Sequence, residues 1–68
     1  MKKTLRFERR LAAAQENAIE VMETYKQEIE LLRMRRDASG NTFVKTCCQQ
    51  DIDQLTAEKR AIEDQLIG

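Results

Sequence analysis

The sequence predicts an all-α protein in which two helices form an antiparallel coiled-coil hairpin. Three observations favour this fold: the composition, the spacing of the apolar residues, and a single cluster of turn-forming residues. Charged residues make up 35% of the 68-residue chain and aromatic residues 4%, and Pro and Trp are absent. Such a composition is typical of long helices and coiled coils.

Apolar residues recur every three or four positions in both halves of the chain. The N-terminal set is Phe7, Leu11, Ala14, Ala18, Met22, Tyr25, Ile29 and Leu32. The C-terminal set is Val44, Cys48, Ile52, Leu55, Ile62 and Leu66. Each set marks one face of an α-helix. We therefore expect a helix over about residues 3–37 and another over about residues 43–67.

The chain is expected to turn at about residues 38–42. If the heptad count starts with Ala18 at position a and continues through Gly40, then Cys48, Leu55 and Ile62 of the second set all fall at position c, away from the seam. A turn removes this conflict. It would have Gly40 in the left-handed conformation and Asn41 or Thr42 as the N-cap of the second helix. One continuous bent helix is the alternative.

An antiparallel pairing that sets Tyr25 opposite Leu55 leaves the start of the chain without a partner helix. Residues 1–13 are therefore predicted to extend beyond the second helix as a basic arm. The arm carries core-type residues at Leu5, Phe7 and Leu11. Its basic residues are Lys2, Lys3, Arg6, Arg9 and Arg10.

Three roles for this arm remain open. The alternatives are a solvated terminus, a surface that packs on another copy, and a contact for nucleic acid or an acidic protein. Basic charge also gathers at the turn, where Arg33, Arg35 and Arg36 lie close together in sequence. Acidic residues dominate the stretches between these two basic ends, so the formal net charge is zero.

The size of the chain favours association. Sixty-eight residues form one small domain, and a lone pair of helices buries little apolar surface. A homodimer, with a four-helix bundle as one form of it, or a complex with a larger protein is therefore expected. Lys59 would then lie in the seam, where its stem packs or its amine helps to set the register.

The residue types that most catalytic and metal sites need are missing. There is no His, Gly40 stands apart from any glycine-rich loop, and two Cys are too few for a structural zinc site. Cys48 is expected to pack in the seam and Cys47 to be more exposed. We expect no enzyme activity, no cofactor, no metal and no small-molecule substrate.

The sequence offers no span for a membrane, since its longest apolar run is residues 11–14. The basic start resembles a secretory signal, but charged residues occupy the place of its apolar core. A cytoplasmic location is therefore expected, without a membrane contact.

A protein–protein interaction module is the preferred function, as a small adaptor, inhibitor or assembly factor that binds a larger partner. A nucleic-acid-binding regulator and a structural subunit of a larger assembly are the alternatives. The residues expected to contact a partner are Lys2, Lys3, Leu5, Arg6, Phe7, Arg9, Arg10, Leu11, Arg33, Arg35 and Arg36.

Overall fold

Three α-helices make up almost all of the protein in the computed structural model, which describes residues 4–67. They are α1 (Leu5–Glu16), α2 (Ala18–Ala38) and α3 (Thr42–Ile67). α2 and α3 form an antiparallel hairpin, and α1 folds back to lie against both. The molecule measures 40 × 21 × 19 Å. The predicted all-α class is confirmed, but the chain has three helices where the sequence predicts two.

The difference arises at Asn17, which lies between α1 and α2. Its backbone has φ −145° and ψ 82°, outside the helical region. Its side-chain oxygen accepts a hydrogen bond of 3.1 Å from the backbone N–H of Glu20. Asn is a strong N-cap residue, so the side chain starts a new helix where the apolar spacing predicts an unbroken one.

The first helix also begins with a cap. The Thr4 hydroxyl accepts a hydrogen bond of 3.1 Å from the backbone N–H of Phe7. This bond satisfies one of the N–H groups that have no carbonyl partner in the first turn of a helix. α1 then presents Phe7 and Ala14 to the other helices, and both are buried.

The turn between α2 and α3 lies where the sequence predicts it. The Asn41 side chain accepts from the backbone N–H groups of Phe43 and Val44, at 2.8 and 3.4 Å. This makes Asn41 the N-cap of α3, as predicted. Ser39 ends α2. The left-handed conformation predicted for Gly40 is wrong, because no described glycine has a positive φ.

Replacing Gly40 with alanine is expected to stabilise the protein by about 0.5 kcal/mol. An alanine Cβ would meet nothing within 4 Å, and the backbone conformation suits an L-residue. The gain comes from the unfolded chain, which loses conformational freedom. Chemical denaturation would measure it. A loss of stability would contradict this reading of the turn.

All three helices contribute to one core. Its buried members are Phe7, Ala14, Val21, Tyr25, Leu55 and Ile62. Leu11, Met22, Ile29, Leu32 and Ala61 pack against them and are partly buried. Residues 5–13 thus lie within the three-helix packing. They do not extend beyond α3, in contrast to the sequence prediction. The third helix supplies the apolar surface that two helices alone lack.

Two long side chains of α2 reach residues of α3 that lie beyond their predicted partners, while Tyr25 and Leu55 belong to the same core. The Tyr25 hydroxyl reaches Glu58, one turn beyond the predicted partner Leu55. Arg36 bonds Gln49, where the prediction sets it opposite Val44. Because α1 fills one side of the hairpin, the two long helices need not bury every apolar residue against each other.

Candidate functional site

A buried carboxylate lies at the junction of the three helices. Glu58 follows Leu55 by three residues and precedes Ile62 by four, so it shares their core-facing side of α3. Its side chain is 0% exposed. Buried carboxylates require partners, and two neighbouring side chains supply them.

Glu58 receives hydrogen bonds from both α1 and α2. The Arg6 guanidinium donates through Nη2 to Oε2 at 2.5 Å and through Nε to Oε1 at 3.3 Å. The Tyr25 hydroxyl donates to Oε1 at 2.9 Å. Arg6 of α1 and Tyr25 of α2 therefore both bind the Glu58 carboxylate of α3, so this one group joins all three helices.

A second arginine of α1 holds the same helix to α2. Arg10 donates to both carboxylate oxygens of Glu28, at 2.8 and 2.9 Å. Its guanidinium carbon lies 4.6 Å from the centre of the Tyr25 ring. A cation over an aromatic face is attracted by the ring quadrupole. Arg6 and Arg10 thus hold adjacent turns of α1 on the hairpin.

The network changes the acidity of its members. Burial opposes the charge of Glu58, but the hydrogen bonds from Arg6 and Tyr25 outweigh it and lower the pKa of this carboxyl. The hydrogen bond from Arg10 likewise lowers the pKa of Glu28. Stability from these two carboxylates is complete above the ordinary glutamate pKa and is lost as the pH falls through the lowered values.

Tyr25 is expected to resist ionisation at alkaline pH. Burial, together with the hydrogen bond to Glu58, raises its pKa to about 12. Since the folded pKa lies above the unfolded value of about 10, stability is complete below pH 10 and falls as the pH rises towards 12. The chain has one Tyr and no Trp, so the ultraviolet absorbance of tyrosinate reports this residue alone. Titration at the pKa of a free tyrosine in the folded protein would contradict the buried network.

An open groove continues the furrow in which α1 lies, past the beginning of that helix. Its volume is about 540 Å³, and its lining includes Thr4, Arg6, Leu31, Leu32, Asp51 and Leu55. α2 and α3 form its two sides, and Thr4 and Arg6 close one end. Its apolar lining residues are Leu31, Leu32 and Leu55, and its other lining residues, which also include Glu28 and Gln54, are polar.

One strongly exposed apolar side chain lines this groove. Leu31, on its α2 side, is 65% exposed. Phe43, at the start of α3, is 75% exposed and lies outside the lining. Arg35 follows Leu31 by one turn on the same face of α2. Cys47 precedes Asp51 by one turn on α3 and is half-buried, whereas Cys48 is buried as predicted. The arrangement provides an apolar surface bordered by charge, with no desolvated reactive group facing it.

The structure separates the predicted contact residues of α1 into three groups. Phe7 is 2% exposed and Leu11 is partly buried. Leu5 and Arg9 are exposed to solvent. Arg6 and Arg10 are engaged with Glu58 and Glu28. Lys2 and Lys3 lie outside the described residues.

The predicted contact residues near the turn remain on the surface. Arg33 and Arg35 are exposed, and Arg33 makes an ion pair of 3.4 Å with Glu30 in the same helix. Arg36 is half-buried and bonds Gln49 of α3 and the adjacent Asp37. These arginines surround the end of the hairpin without converging on one point.

Sequence reasoning missed Glu58 and placed its neighbour Lys59 in the seam. Lys59 is half-exposed and pairs with Glu63 at 2.6 Å. The spacing of Glu58 from Leu55 and Ile62 is the signal that could have identified it. The Tyr25 hydroxyl, expected at the edge of the seam, is buried on this carboxylate.

Two further properties hold for residues 4–67. No helix there is long and apolar enough to cross a membrane. Within the same range no three potential metal-ligating side chains lie together. Comparisons with protein-family models, with curated proteins and with solved structures give no match to the chain.

Proposed function

We propose that the protein is a non-catalytic protein–protein interaction module that binds a helix of a larger partner in the open groove. The observation that carries this proposal is the continuity of the groove with the furrow that holds α1. Phe7, Leu11 and Ala14 of α1 already fill one half of that furrow. The other half offers Leu32 and Leu55 on its floor and nothing from residues 4–67 covers it.

The groove is a better contact surface than the basic arm that the sequence predicts over residues 1–13. The apolar anchor of that arm, Phe7, is buried within the chain. Arg6 and Arg10 are held by carboxylates. By contrast, Leu31 at the groove is exposed, and a single well-packed apolar anchor can dominate a protein interface.

The chemistry of the groove indicates an amphipathic helix as the occupant. Such helices bind in grooves through apolar residues at positions i, i+3 or i+4, and i+7. Arg35 lies one turn beyond Leu31 on the same face of α2 and outside the lining of the groove. The partner helix would carry an apolar stripe along Leu31, Leu32 and Leu55, with an acidic residue where it passes Arg35.

Nucleic acid stays the second candidate because five of the ten basic residues within residues 4–67 pair with a carboxylate. Arg6, Arg10 and Arg33 each pair with a carboxylate. Phosphate binding would be recognised by a steep fall of affinity with salt, whereas an apolar helix contact would change little.

The test compares two exposed apolar positions on different faces of α2, about 120° apart around the helix. Leu31→Glu places a charge in the groove, and Ile19→Glu places the same charge at a residue that is 81% exposed. Both variants are used to capture proteins from native lysate, and each captured protein is then purified and its affinity measured directly. We expect a partner whose affinity falls at least tenfold with Leu31→Glu, the loss of one interface anchor, and is unchanged with Ile19→Glu.

Two results would contradict the proposal. In one, every purified partner binds both variants equally. In the other, binding depends steeply on salt and survives the change at Leu31, which would favour the nucleic-acid alternative.

A further inference from the structure

We infer that α1 can leave its own hairpin and occupy the equivalent seat on a second copy of the chain. In this exchanged dimer α1 and α2 would form one continuous helix, and each copy would supply α1 to the other. The interaction surface is the α1 seat around Tyr25 and Glu58, which adjoins the open groove and shares Arg6, Glu28 and Leu55 with it. The inference does not require the proposed function, because it concerns where α1 binds and not what binds in the groove.

The connection between α1 and α2 is the single residue Asn17, whose backbone N–H makes the last bond of α1 and whose carbonyl accepts the first bond of α2. The Asn17 N–H donates to the carbonyl of Ala13 at 2.9 Å, and the Val21 N–H donates to the carbonyl of Asn17 at 3.4 Å. Both bonds have the i to i−4 pattern of an α-helix. A change of the backbone dihedral angles at Asn17 would allow the backbone hydrogen bonds that are missing at the junction to form. The hydrogen bond from the Glu20 N–H to the Asn17 side chain would then be lost.

The apolar pattern supports a continuous helix through the junction. Phe7, Leu11, Ala14, Ala18, Val21 and Tyr25 follow one another at intervals of four, three, four, three and four residues. This is an unbroken heptad spacing, which places all six on one side of a continuous helix. The sequence therefore supports two arrangements, and Asn17 is the position where they differ.

A straightened helix would expose Phe7, which is 2% exposed in the closed monomer. The seat vacated on α2 and α3 would be exposed as well. A second copy in the same state removes both exposures at once, because each α1 finds the surface that it left. Exchange of an identical element in this way is a route from a monomer to a symmetric dimer that requires no new interface of its own.

The charged contacts make the second copy the appropriate occupant. Arg6 matches Glu58 and Arg10 matches Glu28, and these pairs form equally well within a chain or between two chains. A foreign helix would have to reproduce both arginines and Phe7 at the same spacing.

Two charge-reversal variants test the exchange. Arg6→Glu and Glu58→Arg each set like charges against each other in the closed monomer, and in a dimer of either variant with itself. When the two variants are mixed, only an exchanged heterodimer brings opposite charges together, and it does so at both of its α1 seats. We expect each variant alone to be largely unfolded, and the mixture to recover helical circular dichroism and the light-scattering mass of two chains.

The double variant with both reversals in one chain is the control, since it should fold alone. If it folds and the mixture shows no recovery, the exchange is overturned. If the double variant does not fold, the Asn17→Ala variant tests the exchange instead. Removing the cap and favouring a continuous helix should strengthen the dimer about tenfold per chain.

Asn17→Asp is the matched control for that measurement because it keeps a capping oxygen. We expect sedimentation equilibrium to show more dimer with Asn17→Ala than with Asn17→Asp. An Asn17→Ala protein that stays monomeric at the highest soluble concentration would overturn the inference.

Discussion

Replacing Phe7 with alanine is expected to lower the free energy of unfolding by about 3 to 5 kcal/mol, the usual loss for a buried phenylalanine. The side chain is 2% exposed and joins the core that α1 shares with α2 and α3. A cavity there would remove the main apolar contact of a short helix. Urea denaturation followed by circular dichroism would measure the change.

Phe43→Ala is the matched control, since Phe43 is 75% exposed. Its substitution should change stability by no more than about 0.5 kcal/mol. Equal losses at the two positions would show that α1 is not packed as described. If Phe7 were instead a contact for a partner, as the sequence suggests, its substitution would leave the stability of the isolated protein nearly unchanged.

The second large effect is expected at Glu58. Glu58→Ala should destabilise the protein by about 2 to 4 kcal/mol, because the buried Tyr25 hydroxyl loses its acceptor and Arg6 loses its carboxylate. The loss should fall below that of a fully buried ion pair because Arg6 is partly exposed and can turn to water. Thermal unfolding of the two proteins would measure the difference.

Glu58→Gln separates the two causes. Glutamine keeps the volume and an oxygen that can accept from Tyr25, but it removes the charge that Arg6 pairs with. We expect it to lose roughly 1 to 2 kcal/mol, intermediate between wild type and Glu58→Ala. A Glu58→Ala protein as stable as the wild type would mean that the carboxylate does not hold the three helices together.

The helical class and the turn could be predicted from local information. Apolar spacing marks the core-facing sides of α2 and α3, and Cys48 and Leu55 are buried as it indicates. The turn could be predicted from the break in heptad phase together with Asn41 as an N-cap. These features depend on residues close together in sequence, where propensity and periodicity act.

The break at Asn17 escaped prediction because two signals conflict there. The heptad spacing continues through the residue and favours one helix. Asn17 followed by Glu20 three positions later is an N-terminus signature and favours a new one. Tertiary packing decides between them, since only a break lets Phe7 return to the hairpin. The local sequence does not contain that information.

The ion pair of Arg6 with Glu58 escaped prediction for a related reason. The spacing of Glu58 places it on the core-facing side of α3, but a buried carboxylate makes sense only with its donors. Those donors come from α1 and α2, and α1 reaches Glu58 only because of the break at Asn17. Because the break at Asn17 was not predicted, the hydrogen bonds from Arg6 and Tyr25 to Glu58 could not be predicted either.

The bond between Arg6 and Glu58 spans 52 positions of the chain, which constrains how the protein is made. During synthesis the first helix emerges well before the residues that hold it. Its contacts with α3 can form only after residues 55–62 have left the ribosome. Nascent chains held just short of that point would present the apolar face of this helix, with Phe7, to chaperones.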